Sequence, residues 1–341
     1  MKKIHYLIIL PLLLCALIGG CLLKIKQFAA ETLNLKQEYI FTLPSGTGRE
    51  GLKNLMRQQQ LTKHLFWLLA LLHVEPELAN FKAGTYRLLP GMTVREMLKL
   101  LVNGKEAQFS IRFIEGSTLQ KCLEIVAKAP YMEHDLQDLT PQSLAIKLGA
   151  STNVSLEGFL YPDTYLYTAN TTGSALLKRA RQRMDKSLQS IWQQRAGGLP
   201  YKNPQDLLTM ASMVEKETGI KQERAKIASV FINRLRLGMK LQTDPTVIYG
   251  IGETYRGSIT RQDLTKPSPY NTYIISGLPP TPISMLSQDA LEAAAHPEKT
   301  NYLYFVANGS GGHVFTTNLA SHNKAVQQYR QRKKEKRNHE Q

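Results

Sequence analysis

From Tyr6 to Leu23 the chain runs for eighteen residues without a charged side chain. That is close to the shortest helix that crosses a bilayer, and longer than the roughly 7–15 residues of a signal-peptide core. Lys2 and Lys3 precede the run and Lys24 and Lys26 follow it, so flanking charge alone does not set orientation. No small-x-small cleavage site leads into a polar start. Ile18-Gly19-Gly20-Cys21 puts a cysteine after small residues, as a lipidation box does, but its middle glycine fits that pattern poorly. The favoured reading is an uncleaved, single-pass anchor at 6–23 with residues 1–5 in the cytoplasm. The rest of the chain is then exported from the cytoplasmic (inner) membrane into the periplasm.

Roughly 315 residues remain outside the anchor, enough for two domains or one with subdomains. Only Cys122 lies among them, since Cys15 and Cys21 are in the apolar run, so the fold does not depend on an internal disulfide. No cysteine–histidine cluster suggests a structural zinc. The formal net charge is +16, and part of it sits in the tail at Arg330, Arg332, Lys333, Lys334, Lys336 and Arg337. Such a run reads as a solvated helix end, with a membrane surface or an acidic polymer as the functional alternatives. An exported chain without a recognisable nucleic-acid module is not expected to bind nucleic acid.

One pattern recurs three times. Tyr39–Leu43, Tyr86–Leu89 and Ile111–Ile114 are strand-like. Each leads into a glycine turn, a threonine and a helical stretch: Gly48–Gln59, a helix through Leu101, and a helix through Ala127. Thr47…Glu50 and Thr93…Glu96 have the spacing of a capping box. Ordinary helix capping accounts for much of this. The strand–Gly–x–Thr–helix opening also resembles the small peptidoglycan-binding LysM module.

Pro130 to Ser155 is polar and loop-rich. Beyond it, Ala175–Arg195, Asn203–Thr218 and Ile227–Leu237 have helical periodicity, and a short helix is expected over Ser287–Ala295. Tyr302–Val306 and Val314–Thr316 flank a glycine-rich turn as a hairpin. Helices and strands are segregated, which implies an α+β fold. The expected layout is the anchor, a linker at 24–38, a LysM-like subdomain at 39–110, a connecting region at 111–155, a mixed α+β catalytic domain at 156–330 and a basic tail at 331–341.

The chain has no His-Glu-x-x-His, no Gly-x-Ser-x-Gly, no Walker loop and no dinucleotide fingerprint, and Cys122 sits in an apolar helical pattern. Carboxylates are left. On the Asn203–Thr218 helix, Leu207, Met210, Ala211 and Val214 form an apolar face, and Glu217 stands at its margin. Glu215 is about 200° round the helix from Glu217, so the two cannot enter one cleft. Each lies at a margin, and periodicity does not choose between them. The plain alternative for Glu217 is a solvated pair with Lys221. A carboxyl at an apolar margin can instead have its pKa raised by desolvation, as a general acid near neutral pH requires.

Ala211-Ser212-Met213-Val214-Glu215-Lys216-Glu217 resembles the signature of the endolytic murein transglycosylases, the MltG/YceG-like family. The resemblance continues through 228–235, 241–250, 270–273, 277–280, 302–306, 311–315 and 318–323, and in the first half at 81–86 and 157–165. It covers nearly the whole chain. A departure at Leu278-Pro279-Pro280-Thr281-Pro282-Ile283, where the family often has Gly or Ala after the prolines, alters a loop only. The resemblance implies that Glu217 is the catalytic acid. It also implies a lyase that cuts the MurNAc–GlcNAc bond within nascent strands, leaves 1,6-anhydro ends, terminates elongation and works beside peptidoglycan synthases.

One carboxyl suffices for that reaction. Hydrolases need a second carboxylate, but muramic acid brings its own nucleophile, the C6 hydroxyl. Glu217 would protonate the glycosidic oxygen and then, as carboxylate, accept the C6 proton. Gln242, Thr243, Asp244, Tyr249, Asn271 and Tyr273 are the expected sugar contacts, with turn chemistry and packing as their plain alternative. His296, His313 and His322 read as loop anchors or sugar contacts. No metal or cofactor is expected. A non-catalytic wall-binding scaffold and a water-using muramidase are the competing functions.

Overall fold

The computed structural model describes residues 2–151 and 155–339, with side chains from Ile9 to Glu335. The outermost residues of the expected cytoplasmic N-terminus and basic tail (Met1, Glu340 and Gln341), residues 152–154 and the side chains of Lys336 and Arg337 lie outside the described residues. The chain forms two compact units. The first runs through Phe109 and takes in Tyr167–Asn170; the second comprises Ser110–Leu166 and the chain from Thr171 onward.

In the first unit, α1 (Lys2–Ala29) contains a stretch, Ile9–Ala29, that is long and apolar enough to cross a membrane. Its far end is not free. Helical spacing puts Ile25, Phe28 and Ala29 on one face, and all three are buried in the unit's core. The apolar helix therefore passes without a break into folded protein, and only the part of the expected linker (24–38) beyond Ala29 leaves the helix.

β1 (Tyr39–Leu43), α2 (Arg49–Gln58), α3 (Phe66–Val74), β2 (Gly84–Leu88) and α4 (Val94–Asn103) complete this unit. β1 and β2 pair antiparallel with Phe41 opposite Tyr86. Period-two alternation sends Phe41, Leu43, Tyr86 and Leu88 into the core. α3 is an addition to the expected strand–helix succession, built from seven consecutive apolar residues, Phe66–Leu72. The turn glycines of the three repeated units, Gly46, Gly91 and Gly116, share φ values of +77°, +82° and +74°. A side chain is strained there, which explains why the same residue recurs. The capping chemistry is less uniform. Thr93 and Glu96 form the expected box. The Thr47…Glu50 box does not form, because α2 is capped at Gly48 and the Thr47 hydroxyl donates to the Pro44 carbonyl.

The second unit contains all but the first residue of β3 (Phe109–Arg112) and all but the last of β4 (Thr164–Tyr167), with α5 (Leu119–Ala127), α6 (Pro141–Lys147), α7 (Gly173–Gln194), α8 (Pro204–Glu217) and α9 (Lys221–Arg236). It continues with α10 (Asp244–Ile251), α11 (Arg261–Thr265), α12 (Gln288–Ala295), β5 (Tyr304–Ala307), β6 (His313–Thr316) and α13 (Leu319–His339). The fold is mixed α+β, with strands confined to two-stranded sheets among the described residues. α6, α10 and α11 form inside stretches that read as loops, each a short helix opened by Thr140, Thr243 or Thr260. α9 starts six residues before its expected first residue.

α8 is the centre of the unit. Asn203 caps its start by accepting from the Asp206 N–H, and every residue from Leu207 to Val214 is buried, packed by α7, α9 and α12. Even its polar residues are satisfied internally: the Ser212 hydroxyl donates to the Thr209 carbonyl and accepts from the Ile283 N–H. A helix covered on all sides has no solvent face over those turns. Its last turn, carrying Glu215 and Glu217, is where side chains first reach the outside.

Candidate active site

The two glutamates at the end of α8 have different surroundings. Glu215 is almost fully buried beside the equally buried Arg224, 3.2 Å from it. Its Oε2 accepts from the Ser287 N–H at 3.0 Å and from the Ser287 hydroxyl at 2.5 Å. Ser287 in turn caps α12. Glu215 thus ties α8, α9 and α12 together, and its oxygens are occupied by that work.

Glu217 is half-buried and opens onto a cleft of about 660 Å³. The solvated pair with Lys221 does not form, because Lys221 reaches Asp289 at 3.0 Å. The Thr243 hydroxyl instead donates to Oε1 of Glu217. Oε2 takes no hydrogen bond from the described residues. Burial pushes the Glu217 carboxyl up to about 7; the Thr243 hydroxyl and the charge of His313 pull it down, and the Asp244 carboxylate pushes it up. A glutamic acid half-protonated near neutral pH can both give and take a proton there.

Thr243 is held as firmly as the acid it contacts. Its N–H donates to the Thr272 hydroxyl at 3.0 Å, and its carbonyl accepts from the Thr246 hydroxyl at 2.8 Å. Gln242, just before it, has φ +51°, a strained angle for a residue with a side chain. The buried Arg234 holds that turn in place by donating to the carbonyls of Lys240 and Leu241 and to Gln242 Oε1. Asp244 opens α10 and accepts from the Tyr273 hydroxyl at 2.6 Å.

The structure therefore brings Glu217, Gln242, Thr243, Asp244 and Tyr273 onto one cleft. It does not bring Asn271 or Tyr249 there. The Asn271 amide is buried and donates to the carbonyls of Asp263, Leu264 and Lys266, while its oxygen accepts from the Tyr273 N–H. The Tyr249 hydroxyl donates to Glu157, and its ring lies against Tyr270. Glu157 is a second buried carboxyl, pushed by burial up to about 7 although Leu119 N–H and Tyr249 hydroxyl bonds oppose the rise. It is absent from the cleft lining and caps the start of α5.

Sequence reasoning did not single out Arg234, Tyr304, Asn323 or Arg330 as cleft residues. The Arg234 guanidinium lies over the Tyr304 ring at 5.1 Å, and Tyr304 stacks on His322 at 5.1 Å and 26°. Burial lowers the His322 pKa, and the charge of Arg234 lowers it further. Its buried Nδ1 has no partner among the described residues. Flat rings edged by polar groups suit the face of a sugar. The available signal was membership of the stretches at 228–235, 302–306 and 318–323 for Arg234, Tyr304 and Asn323, and of the basic run for Arg330. The other two histidines anchor loops: His313 pairs with Glu223 at 2.7 Å, and His296 bonds to the Gln194 carbonyl. Among the described residues, no group of three or more His, Cys, Asp and Glu is placed to hold a metal ion.

A family model described as the YceG-like family matches residues 41–328. An endolytic murein transglycosylase from Bacillus subtilis (strain 168) is 34% identical over 76% of this chain and 76% of its own. One from Streptococcus pneumoniae serotype 2 (strain D39 / NCTC 7466) is 28% identical over 84% of this chain, which spans 57% of that relative's length. The crystal structure of a yceG-like protein from Listeria monocytogenes superposes with a TM-score of 0.53 at 30% identity, over 85% of this chain and 99% of that one.

Proposed function

This chain belongs to the YceG-like family, and from that membership we propose that it is an endolytic murein transglycosylase with Glu217 as its single catalytic carboxyl. It is a lyase: it cuts the MurNAc–GlcNAc bond inside nascent glycan strands without water and leaves 1,6-anhydro ends. The observation that carries the assignment within the site is the Glu217 carboxyl on the cleft, with Oε1 held by Thr243 and its pKa near neutral.

In the first step Glu217 gives its proton to the glycosidic oxygen as the bond to C1 breaks. In the second the carboxylate so formed takes the proton from the C6 hydroxyl as that oxygen closes onto C1. The carboxyl is then protonated again, so the cycle returns its own acid. Tyr273 and Asp244 hold the rim of the cleft, and the Tyr304–His322 stack offers a surface for a sugar ring. Gln242 is a further contact through its side-chain amide.

The first unit supports a LysM-like reading at 39–110, through its strand–glycine turn–helix openings and its antiparallel strand pair. α1 fits a membrane anchor, and murein as substrate puts the second unit on the periplasmic side. Peptidoglycan synthases are the partners that termination of nascent strands would require. Mass spectrometry of glycan digested by the purified protein tests the function. Anhydro ends support it; reducing ends would establish a muramidase, and uncut glycan a binding scaffold.

A further inference from the structure

Two aromatic side chains open α3: Phe66, which no folded part of the described chain covers, and Trp67, which packs partly against the core. Phe66 is 79% exposed, although the same helix sends Leu68, Leu71 and Leu72 into the core. Its ring meets Trp67 edge to face at 5.3 Å. Trp67 lines an apolar groove whose other wall is α1, from Leu13 and Leu17 through Gly20 to Lys24. The small residue at 20 leaves the groove open, and Leu13 and Leu17 are themselves exposed.

The position of α3 beside the apolar helix is fixed. The last turn of α1 is part of the same core as Leu68, Leu71 and Leu72. A bilayer core about 30 Å thick takes about 20 helical residues, so a span beginning near the start of α1 reaches its far boundary close to Lys24. Trp67 then lies beside the last hydrocarbon-level turns of α1. Lys24 lines the same groove, and Lys63 and His64, both exposed, immediately precede α3. Tryptophan and phenylalanine next to lysines, at the end of a span, is the composition of a membrane–water boundary.

We propose that the first turn of α3 enters the bilayer that α1 crosses, so that Phe66 and Trp67 make a second, interfacial contact with lipid acyl chains. The groove between Trp67 and α1 is filled by an acyl chain, and Lys24 and Lys63 meet the headgroups. The contact rests on α1 being a membrane anchor. It goes beyond that reading, because α1 and α3 share one core, so lipid contact at Phe66 and Trp67 sets how deep the first unit sits and holds it against the surface rather than above it.

The chain has two tryptophans, so Trp192→Phe leaves Trp67 as the sole tryptophan, excited selectively at a wavelength where tyrosine does not absorb. The full-length variant is reconstituted in phosphatidylcholine–phosphatidylglycerol vesicles whose acyl chains carry bromine at defined depths. Trp67 is expected to lose most of its emission to shallow bromines and little to aqueous acrylamide. A membrane-impermeant maleimide, applied to the same vesicles, reports on the anchor through Cys15 and Cys21. Protected cysteines with Trp67 unquenched by bromine and open to acrylamide would overturn the interfacial contact while leaving the anchor standing. Labelled cysteines would remove the anchor and the contact together.

Discussion

The Thr243 hydroxyl donates to Oε1 of Glu217, joining the loop before α10 to the last residue of α8 across 26 positions of sequence. This bond holds the carboxyl on the cleft and opposes the rise in pKa that burial imposes on it.

Glu217→Gln is expected to abolish cleavage, because an amide cannot protonate the leaving oxygen. The loss should be about 100- to 10,000-fold, or about 3–5 kcal/mol of barrier. Anhydro ends counted by mass spectrometry check it, with circular dichroism to establish folding. Undiminished cleavage in this variant would end the assignment.

The same carboxyl gives a stability signature. A native pKa raised to about 7 from 4.5 means that the folded state binds more protons than the unfolded state between those values. Stability from this group is therefore full below about pH 4.5 and falls as pH rises through 7. Glu217→Gln is expected to melt higher than the native protein at about pH 8, by the equivalent of about 1–3 kcal/mol, and alike at about pH 4.5. Paired thermal melts at the two pH values measure the difference. A gap of the same size at both would mean that burial does not perturb this acid.

Thr243→Val removes the donor that lowers the Glu217 pKa. The alkaline limb of the kcat profile should shift to higher pH, with about a tenfold fall in rate from the loosened carboxyl. Thr243→Ser keeps the hydroxyl and should restore the native limb. A limb that stays put in the valine variant would show that the bond has no part in tuning.

Asp244→Asn is expected to keep measurable activity, with a loss near tenfold or about 1.4 kcal/mol. Its amide oxygen still accepts from Tyr273, and loss of the negative charge that raises the Glu217 pKa should move the alkaline limb to lower pH. Complete loss equal to that of Glu217→Gln, in a folded protein, would favour two carboxylates and hydrolysis.

Glu215→Ala takes from the buried Arg224 its 3.2 Å carboxylate, leaving only the Ser287 hydroxyl and Asp289 at 3.8 Å, and takes from α12 its anchor on α8. The expected cost is about 3–5 kcal/mol of stability, read as a lower urea midpoint. The fraction that remains folded should still produce anhydro ends. Inactivity in a fully folded Glu215 variant would return this residue to the candidate acids.

What the sequence determined by itself was local or cumulative. An uncharged run of anchor length, the glycine turns before the helices, the cap at Thr93 and the β5–β6 hairpin all follow from neighbours within a few residues, and so could be read. The family followed from many short stretches taken together. The choice between Glu215 and Glu217 could not be read from periodicity, because α8 is covered on every side from Leu207 to Val214 and its last turn inherits no solvent face. The resemblance pointed to Glu217. Tertiary structure gave the two carboxyls different surroundings by bringing Arg224 and Ser287 to Glu215 and Thr243 to Glu217. It also separated Asn271 and Tyr249 from the cleft, since their polar atoms are used by carbonyls and by Glu157. Arg234, Tyr304 and His322 became one stack for the same reason: they lie far apart in the chain, and only packing against α9 and α13 sets their rings and charge face to face.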